Sequence, residues 1–473
     1  MSKKKRGMLE LAVPDIPLNT NLKVIRVRFM SDKISIIQKS LKVRLYPTPE
    51  QKTILNKTFG CCRLLYNERL IEHKLWFEQN KDLPKEERTK FEGKLPKELR
   101  ETKYGFLGED TIAEALIQSQ RNCEQAYSNF FKSLSGKRKG KKVGYPRFKK
   151  KSDHRDSFTL YQFRKNCFDF DHRYLTILKL GKTKFAHTED KSQKWIGWYK
   201  EATPKHMTIS RNPAGEYWCS ILFEKQQDTF IRASLDKAIG LDFSPNSLYV
   251  NDLNETASGY RPQKQLHSKQ LRHLQRSLAR KQKGSRNREK ARVKLARLEQ
   301  HIADSRRDYI EKETLRLVRT YDLIGIEDLN LVGMMKFSHN AKNYVDASWS
   351  TFVNKLIWKA KFNNCLVIQS DRFYPSSKTC HHCGYINSEL TLRDRVWICP
   401  DCGAKIVRDQ NAAINLGNNA KSMLCKDLAP FLGMEHAEVM SVKGVEVIFI
   451  NDELCIASYE TERPDREIWP RSR

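Results

Sequence analysis

The sequence predicts a multidomain α/β chain with added all-β and all-helical parts. Three observations carry that reading: buried strand patterns that end in acids, a run of short alternating strands, and long stretches of helical periodicity. At roughly 100–200 residues per domain, 473 residues make two to four domains. Residues 1–20 mix basic residues and prolines without a period and read as a loose arm. Leu41–Tyr46 alternates as a strand, and Thr48-Pro49-Glu50-Gln51 then supplies a cap, a first-turn proline and a capping-box partner, so a helix starts there. Ile54, Leu55, Phe59, Cys62 and Leu65 continue its apolar stripe, and a charged connector over 80–105 leads to a second helix through Ile112, Leu116, Tyr127 and Phe131. Short strands such as Trp218–Phe223 predict a small β-barrel or sheet over 157–225.

From 237 the pattern changes. Ala238–Phe243 is an apolar strand containing Asp242, and Ser247–Val250 reads as its antiparallel neighbour. A helical stretch over 264–320, broken at Gly284-Ser285, precedes the strand Leu323–Ile326, which ends in Glu327. A third strand, Cys365–Ile368, precedes a cysteine cluster. From Lys426 the chain turns acidic, with ten acids against six bases; a hairpin over 445–457 is expected there and disorder over the final dozen residues.

Lys plus Arg number 87 against 56 for Asp plus Glu, a formal net charge of +31. Such an excess calls for a polyanion, and nucleic acid is the common one because neutralised phosphates release counterions. The longest apolar runs, such as Val447–Ile450, fall far short of the roughly 18–20 residues that span a membrane, and no signal peptide is recognisable, so the sequence predicts a cytoplasmic protein. Two basic stretches suit phosphate contact. One, 137–151, holds nine Lys/Arg and no acid, among them Lys137, Arg138, Lys139, Arg147 and Lys149, interleaved with Tyr145 and Phe148 for stacking. The other, 264–307, carries 15 Lys/Arg against three acids, including Arg276, Arg280, Lys281, Arg286 and Arg288.

Eight of the twelve cysteines are scattered and read as reduced, buried thiols. The other four form Cys380-x-x-Cys383 and Cys399-x-x-Cys402 with fifteen residues between the pairs, the spacing of a closed four-thiolate zinc site. His381 and His382 are then surplus to the tetrahedron, and the zinc is structural. Three acids stand out by position: Asp242 and Glu327 at strand ends, and Asp409 at a helix start. Each alone reads as a turn or cap residue before it reads as catalytic. Strands ending in acids are also how an RNase H-like sheet gathers carboxylates, and such a cluster binds Mg²⁺ or Mn²⁺, two of which clamp a phosphodiester under attack.

The segments LKVRLYPTPEQ (41–51), GCCRLLYN (60–67), GYPRFKKK (144–151), GLDFS (240–244), GSRNREKARVKLARL (284–298), IGIEDLNLVGM (324–334), SSKTCHHCG (376–384) and RDQNAAINL (408–416) together resemble the TnpB family. These are transposon-encoded RNA-guided nucleases related to compact type V CRISPR effectors. The resemblance implies a β-barrel wedge domain at 35–47 and 152–236 and a helical recognition domain at 48–151. It further implies a RuvC nuclease domain of RNase H fold at 237–375 and 406–425, a zinc ribbon at 376–405, an arm at 1–34 and a tail at 426–473. It makes Asp242, Glu327 and Asp409 the catalytic metal ligands and a guide RNA the selector of double-stranded DNA. Two alternatives stay open: a CRISPR effector of the same chemistry, and a nuclease-silent RNA-guided DNA-binding protein. One departure is Ile406-Val407, where relatives commonly have His-Asp. The order Asp, Glu, Asp differs from that of Asp-Asp-Glu transposases.

Overall fold

The computed structural model describes residues 22–26, 36–84, 86–161, 167–186, 194–226, 230–234, 236–337, 341–391, 393–432, 446–450 and 453–460. The chain divides into two compact units, one of 36–227 with 271–300, the other of 1–35, 228–270 and 301–473.

In the first unit seven antiparallel strands form one sheet, with Asp156–Leu160 and Phe168–Asp169 at its edges. Ile36–Tyr46, five residues longer than its alternation predicts, lies between Tyr217–Gln226 and Gly181–Phe185. The helix Pro49–Asn80 begins as expected: the Gln51 amide donates to Thr48 Oγ1 (3.3 Å) and the Thr48 amide to Gln51 Oε1 (3.0 Å). Its buried Leu55, Phe59, Cys62 and Leu65 join Leu41, Val43, Phe158, Ile209 and Ile221 in one core, to which Leu116 of the helix Ala113–Leu134 also belongs. The charged connector is not wholly irregular, since Pro96–Thr102 forms a helix with Leu99 buried beneath it.

The predicted break in the helical stretch falls between Ser268–Ala279 and Arg286–Thr320, with Gly284 at φ +84°. One outcome differs from the sequence reading: residues 271–300 belong to the first unit, not with the strands on either side of them in sequence. Arg292 shows the reason, its Nη1 donating to the Pro213 carbonyl at 2.8 Å.

The second unit is built on a four-stranded sheet in the order Leu248–Asn251, Ala238–Ser244, Leu323–Glu327, Leu366–Ser370. The first pair is antiparallel and the rest parallel. Ile239, Leu241, Ile324 and Ile326 are buried with Phe352 and Leu356 of the helix Trp349–Ala360. The stretch 1–20 read as a loose arm lies outside the described residues; just beyond it, in a second sheet, Leu22–Arg26 is a strand paired with Glu453–Glu460. That strand pairs in turn with Glu446–Ile450, giving the expected hairpin, and Phe230–Ser234 closes the order by pairing with Glu446–Ile450 instead of joining the seven-stranded sheet. The disorder expected of the final dozen residues lies outside the described residues. Of the scattered cysteines, the seven with described side chains are free and buried. No helix among the described residues is long and apolar enough to cross a membrane.

Candidate active site and metal centre

The three acids are brought to one end of the central sheet by two glycines. Parallel pairing sets Gly240 opposite Gly325 and Leu241 opposite Ile326, so Asp242 and Glu327, one residue further on, leave adjacent strands side by side. Residues two apart share a sheet face, which puts each glycine on the face of its acid. The helix Arg408–Leu432 packs there. A Cβ on Gly240 would fall 1.7 Å from the Ala413 carbonyl oxygen, and one on Gly325 would fall 2.2 Å from that of Leu416. The helix therefore rests on bare strand backbone. Asp409, in its first turn and four residues before Ala413, is carried to the acid end.

The electrostatics agree with that convergence. Burial first, then the charges of Asp409 and Glu327, push the Asp242 carboxyl well above the usual carboxylate range, against the opposing pull of Arg408. Glu327 is raised as well, by burial and then by Asp328. Asp409 is held by two guanidiniums: Arg408 Nη2 donates to it at 2.8 Å and Arg395 Nη1 at 3.2 Å. The three carboxylates do not close on one point, for among the described residues only the four cysteines have ligand atoms all within 4.8 Å of one another. Oxygen donors of this kind suit hard divalent cations.

The cysteine cluster is closed. Cys380 Sγ lies 3.7 Å from Cys402 Sγ and Cys383 Sγ 3.6 Å from Cys399 Sγ. Zn–S bonds of about 2.3 Å in a tetrahedron set the sulfurs roughly 3.8 Å apart, so the residues fit zinc. The two knuckles repeat one geometry: the Gly384 amide donates to the Cys380 carbonyl and the Gly403 amide to that of Cys399, each at 2.9 Å, with both glycines at positive φ (+80° and +70°). The strands Val396–Ile398 and Lys405–Val407 flank the second knuckle and pair with each other, and Ile406, the departure noted above, is buried in the ribbon core with Trp397.

His381 is not a member of the cluster and does different work. Its backbone amide and its Nδ1 donate to Asn411 Oδ1 at 3.0 and 2.8 Å. Asn411 Nδ2 in turn donates to the Thr379 carbonyl at 2.7 Å, while Asn415 Nδ2 donates to the Ser376 and Thr379 carbonyls at 2.7 and 2.6 Å. Two asparagines one turn apart thus fasten the first knuckle to the helix that bears Asp409. The sequence reading missed this clasp, the glycine pair, Arg395 and Arg408. The signals were present as Gly-x-acid in both strands and as Asn-Ala-Ala-Ile-Asn.

Of the basic candidates, Lys137, Lys139, Arg147, Arg276, Arg280 and Arg286 are exposed. Two are engaged within the protein. Lys149 Nζ sits over the Tyr66 ring, 4.0 Å from its centroid. Arg288 Nη1 donates to the carbonyls of Leu278 and Lys281 at 2.7 and 2.8 Å and ties the helix break together. Arg138 and Lys281 are part-exposed, and Arg138 also donates to the Lys141 carbonyl.

Three family models match the chain: "Helix-turn-helix domain" over 35–82, "Probable transposase" over 223–338 and "Cas12f1-like, TNB domain" over 349–416. The first of these segments is here one strand followed by one continuous helix. A "Putative RNA-guided DNA endonuclease" of Streptomyces pristinaespiralis is 32% identical over 383 residues, 80% of this chain and 89% of the relative. InsQ of Escherichia coli K12, described in the same words, is 26% identical over 80% of this chain and 91% of its own. A Cas12f1 complex with sgRNA and target DNA aligns over 81% of this chain and 99% of its own, at 13% identity and a TM-score of 0.42.

Proposed function

Since this chain belongs to the TnpB family of RNA-guided DNA endonucleases, we propose that it hydrolyses DNA matched to a bound guide RNA, with Asp242, Glu327 and Asp409 as ligands of catalytic Mg²⁺ or Mn²⁺. The observation behind the site assignment is the seating of the helix Arg408–Leu432 on Gly240 and Gly325, which carries Asp409 to Asp242 and Glu327. Convergence of three acids on one strand end has no packing purpose: it raises the cost of ionising Asp242, and a bound cation relieves it. When bound, the metal activates water and stabilises charge on the phosphodiester. The chain's own part is to hold the carboxylates in fixed positions on a buried sheet and to keep Arg395 and Arg408 beside Asp409, where a phosphate can share their charge.

In this reading the central sheet is the core of an RNase H-like RuvC domain, the seven-stranded sheet is the wedge barrel, and the ribbon holds structural zinc. The exposed basic residues of 137–151 and 264–307 take the RNA and the guide–target duplex by backbone and shape, while base pairing reads sequence. The test is cleavage of a matched plasmid by the reconstituted complex, with a gel shift on the same samples. Asp242→Ala, Glu327→Ala and Asp409→Ala are each expected to lower cleavage by at least about a thousandfold and to leave binding of guide and target within about twofold. Ligands of one cluster act as a unit, so a double substitution adds little. Cleavage retained in any one variant removes that residue from the site, and retention in all three overturns the assignment.

A further inference from the structure

We propose that Phe373 is a stacking platform for one unpaired base of the DNA strand held at the acid end, a contact that rests on the nuclease reading above. The strand Leu366–Ser370 runs parallel to Leu323–Glu327 with Ser370 opposite Glu327, so the chain leaves the sheet at the acids. The turn that follows is pinned on every side. Ser370 Oγ accepts from Asn419 Nδ2 at 2.8 Å, and the Phe373 amide donates to Asp371 Oδ1 at 2.8 Å. Arg372 Nη2 pairs at 2.6 Å with Asp328, the residue after Glu327, and the Tyr374 hydroxyl donates to the Asn415 carbonyl at 3.4 Å. Amid these anchors the Phe373 side chain is 88% exposed, more than any other large apolar residue described.

A rigid turn that holds an aromatic ring in water forgoes the stabilisation of burying it. A nucleobase is the partner this ring fits. Every base has a π-face, so stacking tolerates any sequence, as a site that receives guide-selected DNA requires. The adjacent Arg372–Asp328 pair fixes the ring within a few residues of Glu327. A base held there positions the neighbouring phosphate for attack. A guide RNA base is the competing occupant; the acids favour DNA, because the phosphodiester cut at this end belongs to DNA.

The experiment uses the full chain with its guide RNA and matched target, with 2-aminopurine placed at successive positions of the unpaired strand and Mg²⁺ omitted. One position is expected to be quenched by the wild type and by Phe373→Trp, but not by Phe373→Ala. With Mg²⁺ restored, Phe373→Ala should slow single-turnover cleavage about tenfold. The melting curve and guide-RNA affinity should not move, since the ring supports nothing in the fold. Identical fluorescence in wild type and Phe373→Ala at every position overturns the proposal, as does quenching that follows a probe in the guide RNA. A wild type that quenches through Phe373 yet does not cut supports the stack and overturns the nuclease reading instead.

Discussion

The seven-stranded sheet and the central sheet divide the work of the molecule in opposite ways. Tyr217–Gln226 and Ile36–Tyr46 alternate between buried and more exposed positions, the pattern of an antiparallel sheet with one wet face. That face carries Lys42 and Arg44, which lie over the rings of Trp218 and Tyr46. In the central sheet Leu248–Asn251 is buried throughout and Leu323–Glu327 is buried up to its last residue. Covered on both faces, such a sheet has only its ends to offer, and ligand chemistry gathers at the carboxyl ends of parallel strands. The first sheet is expected to tolerate change across a broad surface; on the reading proposed above, the second stakes its chemistry on two glycines and three acids.

The sharpest way to break that comparison is to add one carbon to the central sheet. Gly240→Ala must displace backbone, because the new Cβ would stand 1.7 Å from the Ala413 oxygen and 2.6 Å from the Gly417 nitrogen. A destabilisation of about 3 kcal/mol is expected, with cleavage falling at least about a hundredfold as Asp409 moves away from Asp242. On the seven-stranded sheet the Thr159–Thr208 hydroxyl pair (3.1 Å) is part-buried, and Thr208→Val is expected to cost less than about 1 kcal/mol. Chemical denaturation of both variants is the measurement. Equal losses would erase the distinction between the sheets.

Legibility followed the same division. Strands with a repeating pattern, the Thr48 cap and the two Cys-x-x-Cys knuckles were readable because their causes are local: alternation, a capping box, a fixed ligand spacing. The resemblance supplied the acid trio, which periodicity alone leaves as three turn or cap residues. What sequence reading missed is non-local. Gly240 meets Ala413, and Asn411 meets Thr379 and His381, only once the helix has docked, and no window of sequence holds both partners. The strand Leu22–Arg26 went unread because its pairing partner lies more than 400 residues away, at Glu453–Glu460. The segment 271–300 was assigned by neighbourhood in sequence, whereas Arg292 ties it to Pro213.

The ribbon tests whether the dependence of the acid end extends to the clasp on its helix. Cys380→Ser or Cys402→Ser is expected to lower bound zinc and thermal stability together, since a structural zinc site supplies folding free energy. Asn411→Ala separates the two roles: zinc content should hold, while cleavage falls about tenfold because the Asn411 bonds to the Thr379 carbonyl and to His381 that steady the helix are lost. Elemental analysis beside a cleavage assay distinguishes them. Full activity in Asn411→Ala would make the clasp irrelevant to the acids.

A smaller effect is expected from the basic residues beside the tolerant sheet. Replacing Arg276, Arg280 and Arg286 by Gln should weaken RNA binding and flatten the log–log salt slope by roughly one unit per lost phosphate contact. Arg288→Gln should act differently, lowering the melting temperature because this guanidinium bridges the Leu278 and Lys281 carbonyls. An unchanged salt slope in the triple variant would return that surface to ordinary solvated charge.

The smallest effect lies in the helices packed beside the seven-stranded sheet, where His73 stacks on Phe91 at 3.7 Å and touches Tyr127 at 4.2 Å between centroids. Burial, and then the charge of Arg69, lower its pKa to about 4. In the unfolded chain it returns to about 6.5, so between these values the unfolded state binds the extra proton. The contribution to stability is therefore complete above pH 6.5, declines as pH falls toward 4, and is flat below. A full shift of this size is worth about 3 kcal/mol, and partial exposure of the ring reduces that to roughly 1 kcal/mol. His73→Phe keeps the stack and has no proton to gain, so it should lose that part of the acid sensitivity, while the carboxylates common to both proteins cancel in the difference. Denaturation midpoints of wild type and variant at pH 7.5 and pH 5 decide the matter. Parallel losses on acidification would show that His73 takes up its proton as readily folded as unfolded, and that the helical layer is as indifferent to its buried polar groups as the sheet beside it.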